Sequence, residues 1–176
     1  LNVNPQLAPR PTPGTRFPDL RIPLLGGGEL ALAQEPGWRL LIVYRGRHCP
    51  LCKTYLSNLD RLAADFEAAG ISVAAVSADP EEKAAADRAE FGWRFRLGHG
   101  LTVDQIRTLG LYVSNPRSAE ETDRPFAEPG LFVINPDGLI QVVDLANVPF
   151  ARPDLDLVLR GIKIHIERRF PIRGTG

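Results

Sequence analysis

Apolar positions along this chain fall into two kinds of run, and the two kinds alternate. "RLLIVY" (39–44) and "ISVAAVSA" (71–78) are continuous apolar stretches bounded by turn residues. Such runs predict central strands buried on both faces. Between them Tyr55, Leu56, Leu59, Leu62, Ala63 and Phe66 recur at three- and four-residue steps up to Gly70. That spacing predicts an amphipathic helix with a glycine stop. Asp79-Pro80-Glu81-Glu82 then offers an N-cap, a proline for the first helical position and an acid at the third, which predicts a helix to about Phe91. A shorter strand near "WRFRL" and a helix from Thr102 to about Leu109 follow. "LFVINPDGLIQVVDL" (131–145) reads as a hairpin, and "DLDLVLRGIKIHIERR" (154–169) as a closing helix behind Pro153. Upstream, "FPDLRIPLL" (17–25) and "GELALA" (28–33) flank Gly26 and Gly27 as a further hairpin.

Strand, helix, strand, helix, hairpin and final helix make a layered α/β domain. The first strand–helix–strand unit should cross over right-handed, with its strands parallel. Residues 17–176 are expected to form this single domain, and the Pro-rich residues 1–16 an extended arm. At 176 residues and 44% apolar, the chain is long enough for one full core. Lys plus Arg equals Asp plus Glu, which argues against a dedicated nucleic-acid binder. No apolar run approaches the length of a membrane span. The opening residues lack the basic-then-apolar order of a signal peptide, so a reducing cytoplasm is the expected compartment. Met is absent throughout, and a short segment upstream of Leu1 is expected.

The chemistry concentrates in "YRGRHCPLCKTY" (44–55), which holds both cysteines in C-x-x-C spacing. Cys49 falls where the strand ends and the helix begins, with Pro50 set for the first turn. Free backbone N–H groups and the positive end of the helix dipole should favour its thiolate. Arg45, Arg47 and His48 are candidate neighbours of that sulfur. Cys52, one helical turn on, can close a reversible disulfide after modest movement. Cys49 is then expected to be the exposed attacker and Cys52 the partly buried resolver. Two rival readings exist: a pair of inert core cysteines, and a zinc site. Zinc needs four ligands, and only His48, His99 and His165 remain to complete them. No metal and no other cofactor is therefore expected. Trp38, Trp93 and His165 read as packing residues.

"VYRGRHCPLCKTYLSNL" resembles the Y-R-G-x-x-C-P-x-C turn of peroxiredoxin-like proteins in the AhpC/TSA family. The likeness continues through "ISVAAVSAD", "EPGLFVINPDG" and "ARPDLDLVLRGI". It implies a thioredoxin-like α/β/α sandwich with an N-terminal β-hairpin extension. It also implies thiol-dependent reduction of hydroperoxides or disulfides, reset by an external thiol donor of thioredoxin-like or glutathione type. A homodimer is compatible with it. Cys49 takes the nucleophile's place and Cys52 that of the second cysteine. Pro129 stands where thioredoxins carry a cis-proline, so the Glu128–Pro129 bond is expected to be cis. Standard peroxiredoxins read P-x-x-x-T-x-x-C and place an arginine before G-L-F; here Ile42, Gly46 and Pro129 occupy those positions. Donors for the breaking O–O bond must then come from the helix start and from Arg45 or Arg47. Two other functions compete with a peroxidase: a protein disulfide reductase, and a non-enzymatic redox sensor.

Overall fold

The computed structural model describes residues 9–176. In chain order the elements are β1 (Ile22–Pro23), β2 (Glu29–Leu30), a 3-10 turn (Leu32–Gln34), β3 (Trp38–Val43), α1 (Pro50–Ala68) and β4 (Ile71–Val76). There follow α2 (Glu81–Phe91), β5 (Arg96–Gly98), α3 (Val103–Thr108), β6 (Val113–Ser114) and β7 (Phe126–Ala127). β8 (Gly130–Ile134), β9 (Ile140–Leu145) and α4 (Leu155–Arg168) complete the chain.

Five strands form the central sheet in the order β5-β4-β3-β8-β9. β3 and β4 pair in parallel, as their crossover through α1 requires, while β8 and β9 run antiparallel around Asn135–Gly138. The continuous apolar runs are explained by two-sided burial. Leu40 and Ile42 of β3 pack against Leu56, Leu59 and Phe66 of α1 and Leu155, Leu159 and Ile162 of α4. Leu41 and Val43 face the other way, into a second cluster with Ile106, Leu109, Phe132, Ile22 and Leu30. The result is the thioredoxin-like α/β layering, with the N-terminal β1–β2 hairpin packed on the α3 side.

Two local expectations need correction. The first concerns the start of α2, where Asp79 does not act as N-cap. Its carboxylate instead accepts the Arg47 backbone N–H at 2.6 Å, so Pro80 takes the cap position and the helix begins at Glu81. The second is the hairpin strand read over 28–33, which shortens to β2 because Leu32–Gln34 turns as a 3-10 helix after Ala31. A ladder that the sequence did not announce joins β6 and β7, pairing Val113 with Ala127 and Ser114 with Phe126. Its strands are too short to leave a periodic signature. Residues 9–16 of the arm lie against the body: Gly14 N–H donates to Ile140 O at 2.8 Å, and Arg10 to Gly110 O at 2.5 Å. Residues 1–8 of the expected arm lie outside the described residues.

Candidate active site

β3 delivers the chain to a sharp turn at Gly46, where φ is 132°. A Cβ there would meet the Asp79 carboxylate at 2.8 Å, so this bend is open to glycine alone. Beyond it Cys49 adopts an extended conformation and becomes the N-cap of α1, with Pro50 at the first helical position. Its sulfur accepts the Cys52 backbone N–H at 3.3 Å. A thiol has replaced the usual capping hydroxyl. The helix end thus supplies a donor and a favourable dipole to the atom that would carry negative charge.

Both cysteines are reduced, and both are buried. Cys49 is 1% exposed, which overturns the expectation of a solvent-facing attacker. The cause is packing: the cap residue is drawn into the cluster that α1 forms with Tyr44, Ile42 and Leu131. Burial alone would hold a thiol in its neutral form, and here it is outweighed. The Cys52 thiol and backbone N–H hydrogen-bond to Cys49, with Arg45 adding a weaker push, and together they lower its pKa from 9.0 to about 6. Cys52 moves the opposite way. Serving as donor to Cys49, and buried itself, it holds its proton well above the ordinary thiol range. One proton is shared unequally, and the anion settles on the cap.

The structure separates the flanking residues. Arg45 lies near the pair, its Nε 3.1 Å from Glu128 Oε2 and its Nη2 3.7 Å from Glu121 Oε1. Its guanidinium also covers the Phe126 ring, 4.8 Å from the centroid. Ser114 steadies Glu128 from behind by donating to Oε1 at 2.7 Å. Arg47 is committed to α2, bound to Asp87 at 2.5 Å and Glu90 at 2.8 Å. Of the two candidate arginines, Arg45 is therefore the one that favours the Cys49 thiolate. His48 packs edge-on to Phe126 and borders an open depression with Arg117, Ser118 and Glu121. Neither of its ring nitrogens has a hydrogen-bond partner. Burial and the nearby Arg45 lower its pKa to about 4, so the ring is neutral near pH 7.

Pro129 lines a crevice with Tyr55, Arg152 and Pro153. Its peptide bond is trans, as is every peptide bond among the described residues, which corrects the cis expectation. The reason is continuity of extended backbone from β7 into β8. Glu128 N–H donates to Tyr112 O at 2.8 Å, and Ala146 N–H to Pro129 O at 3.0 Å, and both bonds keep the segment extended. Three participants escaped sequence reasoning: Glu121, Glu128 and Arg152, the last with Nη1 3.5 Å from Cys52 Sγ. Glu128 and Arg152 do fall within the family-like stretches "EPGLFVINPDG" and "ARPDLDLVLRGI", but the likeness attaches no role to them, and Glu121 is signalled only by charge within "EETDRPFAEP".

A mixed sheet with a low-pKa thiol capping the helix after a central strand defines a thioredoxin-like thiol enzyme. The family model described as "AhpC/TSA family" matches residues 13–143, so the chain belongs to the AhpC/TSA family. It is a peroxiredoxin-like protein of thiol-peroxidase type. Among similar proteins is one named "Putative peroxiredoxin Rv2521" from Mycobacterium tuberculosis (strain ATCC 25618 / H37Rv). The two are 27% identical over 134 residues, or 76% of this chain and 84% of the relative. The fold is shared with a peroxiredoxin-like protein from Aquifex aeolicus, at TM-score 0.75, 17% identity and 89% of each chain. It is also shared with AhpC from Mycobacterium bovis, at TM-score 0.74, 19% identity, 96% of this chain and 99% of that one. No helix among the described residues is long and apolar enough to cross a membrane.

Proposed function

We propose that Cys49 is the peroxidatic thiolate and Cys52 the resolving thiol of a hydroperoxide reductase. The observation that carries this is the buried Cys49 sulfur at the helix N-cap, held by the Cys52 N–H and favoured as an anion. In the first step the thiolate attacks the terminal oxygen of the hydroperoxide. The O–O bond breaks, the remaining oxygen leaves as an alcohol or water after taking a proton, and Cys49 becomes a sulfenic acid. Cys52 then attacks that sulfur, forming the Cys49–Cys52 disulfide and releasing water. An external thiol donor, of thioredoxin-like or glutathione type, supplies the two electrons that reopen it. The neutral His48 ring is not an acid in this scheme. Arg45 and the first N–H groups of α1 supply the positive field for the oxygen that accumulates charge.

Burial of Cys49 in the reduced pair supports a small hydroperoxide over a folded protein disulfide as substrate, because a protein could reach the sulfur only after the turn opened. A protein donor that resets the pair needs the same opening in the disulfide form. In this reading the catalytic unit spans residues 17–176, preceded by the arm 1–16, and works in the cytoplasm, where a thiol donor can reset it. A homodimer is compatible with it. The test is Cys52→Ser. A peroxidase of this design oxidises Cys49 at close to the wild-type rate, because the serine hydroxyl keeps a donor to its sulfur, and then accumulates a sulfenic acid that a dimedone-type reagent labels. Accumulation of mixed disulfides with protein partners, and a peroxide rate no better than that of a free thiol, would reassign the protein as a disulfide reductase.

A further inference from the structure

Arg152 stands in the segment between β9 and α4, and nothing in the cysteine motif announces it. Its Nη1 lies 3.5 Å from Cys52 Sγ, and its Nε donates to Pro149 O at 2.8 Å. The guanidinium sits over the Tyr55 ring, 4.2 Å from the centroid. The Tyr55 hydroxyl in turn donates to Pro153 O at 2.7 Å, which fixes the ring to the same segment. Arg152 is thus held by a carbonyl on one side and an aromatic face on another. Among the described residues it makes no salt bridge, whereas Arg45 has two carboxylates. A positioned, half-buried cation with no carboxylate at salt-bridge distance therefore faces the second sulfur of the pair, Asp144 being the acid that shares its crevice.

We propose that Arg152 is a catalytic residue for the Cys52 half of the cycle, stabilising the thiolate that Cys52 must become twice per turnover. The inference rests on the reading of Cys52 as the resolving thiol. At the first occasion the Cys52 thiolate attacks the Cys49 sulfenic sulfur. The S–S bond forms, the S–O bond breaks, and hydroxide leaves and is protonated to water. At the second, a thiolate of an external dithiol attacks Cys49 Sγ. The S–S bond breaks, and its electron pair goes to Cys52 Sγ. The donor's second thiol then displaces Cys49 as thiolate, so the donor is oxidised by two electrons and the pair is reduced. Both steps put negative charge on a fully buried sulfur, where an unassisted anion is disfavoured. A charged donor at hydrogen-bond distance offsets that cost. The peroxide step needs only the Cys49 anion and makes no such demand.

The experiment uses the full chain with hydrogen peroxide as oxidant and dithiothreitol as donor. It follows three rates in Arg152→Gln and Arg152→Lys: Cys49 oxidation, disulfide closure and disulfide reduction. In Arg152→Gln, Cys49 oxidation should stay within about twofold of wild type, while closure and reduction each slow about tenfold or more, the scale of one charge-assisted hydrogen bond. The pH at which closure is half-maximal should move upward, a shift that lost packing alone does not produce. Arg152→Lys, which keeps the charge without the planar fork, should restore part of both rates. Equal slowing of all three steps in parallel with a lower melting temperature would make Arg152 a packing strut and overturn the inference. Closure at the wild-type rate with the wild-type pH dependence would also overturn it, leaving Cys52's role intact. A wild-type chain that forms no Cys49–Cys52 disulfide would remove the reading of Cys52 and the inference with it.

Discussion

β3 has an arginine near each end, and the two are held by opposite kinds of partner. Arg39, 1% exposed, donates from Nη1 to Leu32 O at 2.6 Å and to Glu35 O, and from Nη2 to Asn135 O. It ties the turn before β3 to the hairpin after β8. Burial lowers its pKa, opposed by the nearby Glu35. Arg45, beyond the other end, is held by two carboxylates and the Phe126 ring beside a thiolate. A cation held by backbone carbonyls through both of its terminal nitrogens is a strut. One positioned by carboxylates at a helix N-cap can still bias the charge of its neighbour. The same residue type, six positions apart on one strand and its exit, serves architecture at one end and chemistry at the other.

The largest expected effect lies at the strut. Arg39→Met removes the guanidinium from three carbonyls, two of them in buried contacts, and should cost about 3 kcal/mol of stability in urea unfolding. Cys49 alkylation in the folded fraction should keep its pH dependence; a shifted profile would mean that the two ends are coupled. At the other end, Arg45→Met should raise the Cys49 pKa and slow peroxide reduction by about tenfold at neutral pH. A rate unchanged by that substitution would place the work on the helix end alone.

The pH dependence sharpens the contrast further. Cys49 has a folded pKa of about 6 against an ordinary 9.0. Its thiolate therefore contributes stability that is fully present above the unfolded value and is lost as pH falls through about 6. Peroxide reactivity should show its inflection there too. His48, held neutral by burial and the nearby Arg45 down to about 4, makes its own stability contribution, present above the ordinary histidine value of 6.5 and lost as pH falls toward 4, but adds no inflection to peroxide reactivity. The smallest effect follows: His48→Leu should leave the inflection in place, and its disappearance would make His48 a working base.

Much of this was legible in the sequence, and the remainder was not for physical reasons. Periodicity found β3, α1, β4, the 131–145 hairpin and α4, because each is read from contacts it makes along its own length. The N-cap position of Cys49 followed from a local rule, since a strand end, a glycine and a proline adjoin it. Its burial did not, because that depends on how α1 settles against Tyr44 and Leu131. Arg152 and Glu128 reach the site from 100 and 83 residues beyond Cys52 and Arg45 respectively, across separate segments. No spacing rule reports such contacts. Pro129 was read by likeness to a cis-proline loop, whereas the extended run from β7 to β8 sets it trans.

The most direct test of the central claim is a thiol count and peptide map after one equivalent of hydrogen peroxide is added to the reduced protein. The account predicts that both of its cysteine thiols are lost at once, with an intramolecular Cys49–Cys52 disulfide, and that dithiothreitol restores both. Loss of one thiol with a stable sulfenic or sulfinic acid on Cys49 and a free Cys52 would contradict it.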